Sequence, residues 1–415
     1  MRGHDPLGGL DAFLSQYTGE LITFRRDLHA HPELGYHEHR TTRLVSGRLA
    51  SAGLRPSVLP KGTGLLADIG GSDGHARGPV IALRADLDAL PVADEKNVPY
   101  RSTVRNTCHA CGHDVHTAIL VGAGIFLARL AAAGELPGRV RLVFQPAEEV
   151  PGGALDVLAA GGIASVDRIF ALHCDPRLDV GKIGLRTGPI TAACDKIVVR
   201  VAGPGGHTAR PHLTADLVYA LGKIVTELPA ALSRRVDPRS SLSLVWGKVS
   251  AGSAANAIPD DGIAEGTVRC LDDEAWHAAP DLLKALIDSV ASAYGVFAEL
   301  SYQRNVPPTV NEAASVQILA DATAQALGPD AAAPAPQSLG GEDFAWYLES
   351  IPGALARLGT RGQNIGDDLD LHQGTFDVDE QAIGIGIKVM VAAALTALGG
   401  RAVTPEPLPG TATVG

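Results

Sequence analysis

Val140–Glu149 reads VRLVFQPAEE. A short apolar run of strand length ends at Gln145-Pro146, and two carboxylates follow at once. That order sets Glu148 and Glu149 at the carboxyl edge of a sheet, where open α/β folds bind their ligands. Adjacent carboxylates repel unless a cation separates or neutralises them. Taken alone, the pair reads as a solvated helix start. The segment Asn106–His116, NTCHACGHDVH, changes that reading. Cys111 and His113 are two residues apart, so a thiolate and an imidazole can reach one metal centre. The two glutamates can then divide the labour, one binding metal and the other moving protons. Cys108 and Cys111 also form a CxxC pair, but Gly112 stands where haem attachment needs histidine. No second Cys or His pair at matching spacing completes a structural zinc site.

Further short apolar runs lie at Leu65–Ile69, Val80–Leu83 and Arg168–Leu172, each flanked by Gly or Pro. Residues 10–28 and 40–52 carry apolar side chains at helical steps, and 114–132 and 153–160 read as helices between strands. Strands alternating with helices predict an α/β sheet with helices on both faces. The texture changes near residue 192. Strands at 196–201, 241–249, 263–270 and 296–302, with helices at 212–232 and 272–293, give the β-α-β-β-α-β order of a ferredoxin-like unit. The α/β pattern resumes after Pro307-Pro308, with helices near 311–327, 341–349 and 379–398 and a loop over 328–336. The expected organisation is a discontinuous larger domain over 1–191 and 305–400, a smaller domain inserted over 192–304, and a tail over 401–415.

The chain has 415 residues, 46% of them hydrophobic and 4% aromatic, enough for two aliphatic cores. A formal charge of −11 with no concentrated basic run argues against nucleic acid or an anionic membrane as partner. The first residues lack the apolar segment of a signal peptide, and no uninterrupted apolar run reaches about 18 residues. The apolar stretch 118–133 includes Arg129 and reads as a buried helix. The five cysteines form no disulfide framework. A cytoplasmic location with reduced thiols is the expectation.

Several segments together resemble the metal-dependent aminoacylase/carboxypeptidase superfamily, in its branch of N-acyl-amino-acid amidohydrolases of the hippurate-hydrolase and auxin-conjugate-hydrolase type. They are Arg25–His29 with Pro32–Gly35, Arg84–Pro91, Ala110–Asp114, Gln145–Glu149, Gly205–His207, Asn256–Pro259, Gly341–Phe344, and His372 with Asp379-Glu380. The match runs in order from about residue 20 to 398. The resemblance implies a mixed-sheet metallopeptidase-like catalytic domain that holds two divalent ions, with the inserted unit as a lid or dimerisation domain. Cys111 would bridge them; Glu149 and His372 would complete one ion's protein ligands, and His113 and His173 the other's. Asp86 would sit behind a ligand imidazole and fix its tautomer. Other branches carry a metal-binding histidine where this chain has Arg84. Zinc or manganese suits these donors, with cobalt and nickel as alternatives.

The reaction implied is hydrolysis of an N-acyl amino acid to a carboxylate and a free amino acid. Glu148 would be the general base, and His207 the oxyanion donor reaching the partner subunit of a homodimer or higher homo-oligomer. Asn256 and Arg269 would hold the substrate's carboxylate or carbonyl. A dipeptidase or carboxypeptidase on the same scaffold cleaves a chemically identical bond. A non-catalytic binding relative would not need Glu148, and a thiol-redox protein built on Cys108 and Cys111 would leave Glu148, Glu149 and His372 without a role. Relatives usually carry a nonpolar residue at the position of Cys108. A disulfide with Cys111 that expels metal on oxidation is one hypothesis for it; a small buried side chain filling that space is the plainer reading.

Overall fold

The computed structural model describes residues 7–71, 78–362 and 370–399. Backbone packing divides the chain into two compact units, one of Met1–Gly188, Asn311–Pro336 and Trp346–Gly415, the other of Pro189–Val310 and Gln337–Ala345. The segment 337–345 therefore lies in the smaller unit, where the sequence reading put it with the catalytic domain. The physical reason is Gly341, whose missing Cβ lets the backbone pack against Cys194 and Val306 of that unit. The expected helix over 341–349 is shorter, Ala345–Leu348. The expected tail over 401–415 lies outside the described residues.

Among the described residues the larger unit holds an eight-stranded mixed sheet. Its spatial order is Ser57–Val58, Leu65–Ile69, Arg139–Gln145, Val80–Asp86, Arg168–Asp179, Gly353–Arg361, Ile183–Leu185 and Ala332–Pro334. The four strands from Arg139–Gln145 to Gly353–Arg361 run parallel, so their carboxyl ends share one edge. Val80–Asp86 is buried at every position, as a parallel central strand should be. Gly353–Arg361 escapes the sequence reading. Its composition, GALARLGTR, is short of β-branched residues, and burial between two neighbours makes it a strand.

Two helices of this unit, His113–Ala132 and Gln381–Leu398, are long and apolar enough to cross a membrane. Both are instead largely buried in the unit's core, with Ile119, Val121, Ile387 and Val391 inside it. Gly122 and Gly386 permit close packing, since a Cβ on either would collide with Ile387 or Ile119 respectively.

The smaller unit is ferredoxin-like. Its four strands lie in the order Ser243–Ala251, Asp261–Cys270, Ala193–Ala202, Phe297–Val306, antiparallel throughout. Helices Leu217–Arg235 and Asp273–Ala293 bury one stripe each, Ala220, Ile224 and Leu228 from the first and Leu283 and Ile287 from the second. The first helix starts five residues after its expected start at 212, because Asp216 caps it by accepting the Tyr219 N–H at 3.1 Å.

Candidate metal centre

The carboxyl edge of the parallel strands in the larger unit carries Asp86 and Gln145 at strand ends and His173 within Arg168–Asp179. The helix His113–Ala132 begins at this edge. Its entry turn needs glycine. Gly112 has φ +86°, and a Cβ there would lie 2.8 Å from the Cys174 sulfur. This tight turn presents Cys111 and His113 from one short stretch of chain. His372 also stands in the left-handed region, at φ +64°, and its N–H donates to the Ala110 carbonyl at 2.8 Å. One hydrogen bond thus ties a segment from the far end of the chain to the residue beside Cys111.

These side chains gather into two groups that share one atom. Cys111, His113 and His173 each bring a donor atom to within 4.8 Å of the others, all three buried; Cys111, Glu149 and His372 do the same, with Glu149 half-buried and His372 exposed. The Cys111 sulfur lies 3.5 Å from His173 Nε2, and His372 Nε2 lies 3.3 Å from Glu149 Oε1. His113 Nε2 is 3.9 Å from both Glu148 Oε2 and Glu149 Oε1. The two 3.9 Å gaps are too wide for hydrogen bonds.

The donor set fits divalent cations. Neither ring nitrogen of His113 completes a hydrogen bond, although the ring is fully buried. His173 Nδ1 lies 2.8 Å from the Cys174 carbonyl, which accepts its proton and leaves the Nε2 lone pair facing Cys111. Burial, with Glu149, Glu148 and Asp86 adding to it, pushes the Cys111 thiol well above its usual range. Burial works against a charge on His113, but Asp86, Asp88 and Glu149 outweigh it and push the ring up to about 10. Burial, with Arg357 and His116, holds His173 well below the ordinary histidine value. The hydrogen bond to Glu149 raises His372. Without a cation the centre is thus overloaded with negative charge. A bound divalent ion inverts that balance and favours the thiolate and neutral imidazoles.

Asp86 is placed differently from the sequence expectation. Its two oxygens take His116 Nδ1 and Arg84 Nη1, each at 2.6 Å, while His113 Nε2 stays 3.8 Å away. Burial opposes its ionisation, but His113, His116 and Arg84 hold its carboxyl well below the usual range. Arg84 is buried and needs a carboxylate, so Asp86 serves Arg84 and His116 rather than a ligand imidazole. His116 in turn accepts the Cys174 N–H at 2.8 Å, which steadies the strand beside His173. The carboxylate facing the back of His113 is Asp88, with Oδ1 3.3 Å from Nδ1. Asp88 and His116 were missed as site residues: Asp88 lies two positions past the end of its strand, and His116 lies three residues along the helix from His113.

His207, Asn256 and Arg269 belong to the smaller unit. His207 pairs with Ala257 in a two-stranded ribbon, and the Thr208 N–H donates to the Asn256 carbonyl at 3.3 Å, so His207 and Asn256 are neighbours. Arg269 is not. It lies eight positions along its strand from Asp261, roughly 26 Å, and its Nη1 donates to the Leu339 carbonyl at 2.8 Å. Cys108 is fully buried and faces Lys96, whose Nζ is 3.4 Å from the sulfur. All five cysteines are free.

Known proteins agree with this geometry. Residues 82–396 match the profile of peptidase family M20/M25/M40. The chain is 50% identical over 374 residues to a Rhodococcus jostii protein named putative glutamate–cysteine ligase 2-3, covering 90% of this chain but only 46% of that protein's length. It is 40% identical to an N-acetyl-L-cysteine deacetylase of Bacillus subtilis, over 89% of this chain and 86% of the relative. The crystal structure of the Bacillus subtilis YXEP protein, described as a dinuclear metal-binding peptidase of the M20 family, superposes with a TM-score of 0.81 at 36% identity, covering 93% of this chain and 99% of that one. A profile matched over most of the chain, and a solved relative matched over nearly all of it, place this chain in peptidase family M20/M25/M40.

Proposed function

We propose that this chain hydrolyses the amide bond of a small N-acyl amino acid, with cysteine as the amino acid released. The chain is a metal-dependent amidohydrolase, and the observation that carries the reading is the sharing of Cys111 between two ligand groups. Cys111, Glu149 and His372 would hold one ion, and Cys111, His113 and His173 the other. Two divalent cations there would supply Lewis-acid polarisation of the amide carbonyl and a water of lowered pKa. Glu148 takes a proton from the attacking water and delivers it to the departing amine. His207 is the oxyanion donor in this reading, worth about 3 kcal/mol of barrier, and Asn256 and Arg269 are carried as substrate-binding residues. A homodimer and a reducing, cytoplasmic setting go with it; five free cysteines suit the latter. Zinc or manganese suits the donors best.

Cysteine is the amino acid in this reading because relatives 40% and 39% identical are named as N-acetylcysteine deacetylases. A dipeptide offers the same scissile bond, so the test is a panel of N-acetyl, N-benzoyl and N-aminoacyl substrates with metal analysis. Glu148→Ala should lower kcat by about 10²- to 10⁴-fold while both metal equivalents stay bound. Turnover persisting in that variant removes Glu148 as the base.

A further inference from the structure

We infer that Glu38 and Asp88 are positioning residues that hold the base and a metal ligand in place by gripping three successive backbone N–H groups. The inference rests on Glu148 and Glu149 acting as proposed above. After the strand Arg139–Gln145 the chain turns sharply through Ala147, at φ +54°. That region is unfavourable for a residue with a Cβ and persists only where the surroundings over-determine it. Here they do. The Ala147 N–H donates to Glu38 Oε1 at 2.7 Å. The Glu148 N–H donates to Asp88 Oδ1 and the Glu149 N–H to Asp88 Oδ2, each at 3.0 Å.

Both acceptors are buried carboxylates. Glu38 is fully buried, and its other oxygen, Oε2, makes no hydrogen bond. Oε1 accepts from the strained residue. Asp88 divides its two oxygens between the next two amides, and Oδ1 also lies 3.3 Å from His113 Nδ1. The segment that brings Glu38 is laid along the turn: a Cβ on Gly35 would lie 3.2 Å from the Ala147 Cα, and the Tyr36 hydroxyl donates to the Pro151 carbonyl at 3.3 Å. Without the grip, the turn can relax toward ordinary backbone angles. Such a change swings the Glu148 and Glu149 side chains away from His113.

The test compares Asp88→Asn, Glu38→Ala and Glu38→Gln by amide hydrogen exchange at 147–149, chelator resistance of the bound metal, and steady-state kinetics on N-acetylcysteine. Asn keeps the shape of Asp but offers one acceptor, and its NH2 confronts the second N–H. Gln keeps the acceptor that Ala147 uses. Asp88→Asn and Glu38→Ala should speed exchange at 147–149 by about tenfold or more. They should lower kcat about 10- to 100-fold at little-changed KM and ease metal loss to chelator, while Glu38→Gln stays within about threefold of the wild type. Wild-type exchange at 147–149 in both Asp88→Asn and Glu38→Ala overturns the inference, and so does Glu38→Gln behaving as Glu38→Ala does. Should Asp88→Asn not fold, the Glu38 pair decides. If the wild type cleaves no member of the panel yet the exchange pattern appears, the proposed reaction fails and the grip stands. If exchange is unchanged while Glu148→Ala stops turnover, the grip fails and the reaction stands.

Discussion

His113 and Asp114 are neighbours at the start of one helix, yet they open onto clusters finished in different ways. Asp114 takes Arg25 Nε and His29 Nδ1, each at 2.7 Å, and all three side chains are buried. Next to them Asp94 takes Lys96 Nζ at 3.0 Å and His29 Nε2 at 3.3 Å. Donor atoms of His29, Asp94 and Cys108 lie within 4.8 Å of one another, the same spacing as at the metal centre. There, however, the positive charges are side chains, and the Lys96 ammonium stands against both Asp94 and Cys108. On the His113 side, Glu149 faces two imidazoles, at 3.3 and 3.9 Å, and the Cys111 thiol. Ligand residue types at ligand spacing do not by themselves make a metal site. What separates the two clusters is that the first holds arginine and lysine side chains, whereas the ligand groups of the second offer imidazoles alone as positive partners.

The ionisation tendencies follow that difference. Burial opposes a charged Asp114, but Arg25 and His29 hold its carboxyl well below the usual range; burial also opposes a charged His29, which Asp114 lifts to about 10. At the metal centre the Cys111 thiol moves the other way, far up. The sharpest way to break the comparison is therefore to substitute the two neighbours. Asp114→Ala strands a buried Arg25 and His29 and should destabilise the protein by about 3–5 kcal/mol in denaturant melts. His113→Ala should leave a folded protein that binds less metal and turns over poorly. If instead Asp114→Ala melts like the wild type and His113→Ala unfolds, the assignment of the two clusters is reversed.

Metal removal sharpens the same contrast with a smaller effect. A ligand that binds only the folded protein stabilises it by about 2.7 kcal/mol at 100 times its Kd. Chelation should lower Tm by a corresponding amount, and restored zinc or manganese should recover it. In Cys111→Ala, which removes the shared donor, chelator should shift Tm little. An equal shift in wild type and Cys111→Ala would place the stabilising ion elsewhere.

Much of this was legible in the sequence because it depends on local pattern. Strand-length apolar runs located Val80–Asp86 and Arg139–Gln145, and a dense ligand stretch located Cys111 and His113. The order of the smaller unit was readable from alternation between strand and helix periods. What stayed hidden depends on pairing across long separations. Gly353–Arg361 has weak strand propensity and is a strand because of its neighbours. Nothing periodic marks Glu38, whose partner lies 109 residues away. Asp86 was legible from its motif, but its partners Arg84 and His116 and the place of Asp88 behind His113 depend on how the strand end meets the helix. Arg269 shares the smaller unit with Asn256 and His207, and only the register of its strand shows that it stands at the end away from them.

Glu38 adds a third outcome for a buried carboxylate and the smallest of the tests. Asp114 has side-chain cations, Glu149 has the metal centre, and Glu38 has neither. Burial raises its carboxyl, with Asp88 adding to the effect and the Ala147 N–H working against it, from the ordinary 4.5 to about 7. A proton is therefore its counter-charge. Because the folded value is above the unfolded one, the stabilisation is fully present below pH 4.5 and is lost as pH rises through 7. The loss is on the order of 2 kcal/mol. Glu38→Gln keeps the acceptor for Ala147 and removes the titration. Measured on metal-stripped protein, its stability relative to wild type should therefore be greater at pH 8 than at pH 4. Denaturant melts at the two pH values read that difference directly, and because every other titrating group is common to both proteins, a difference that does not change with pH would mean that Glu38 titrates in the folded protein as it does in the unfolded chain.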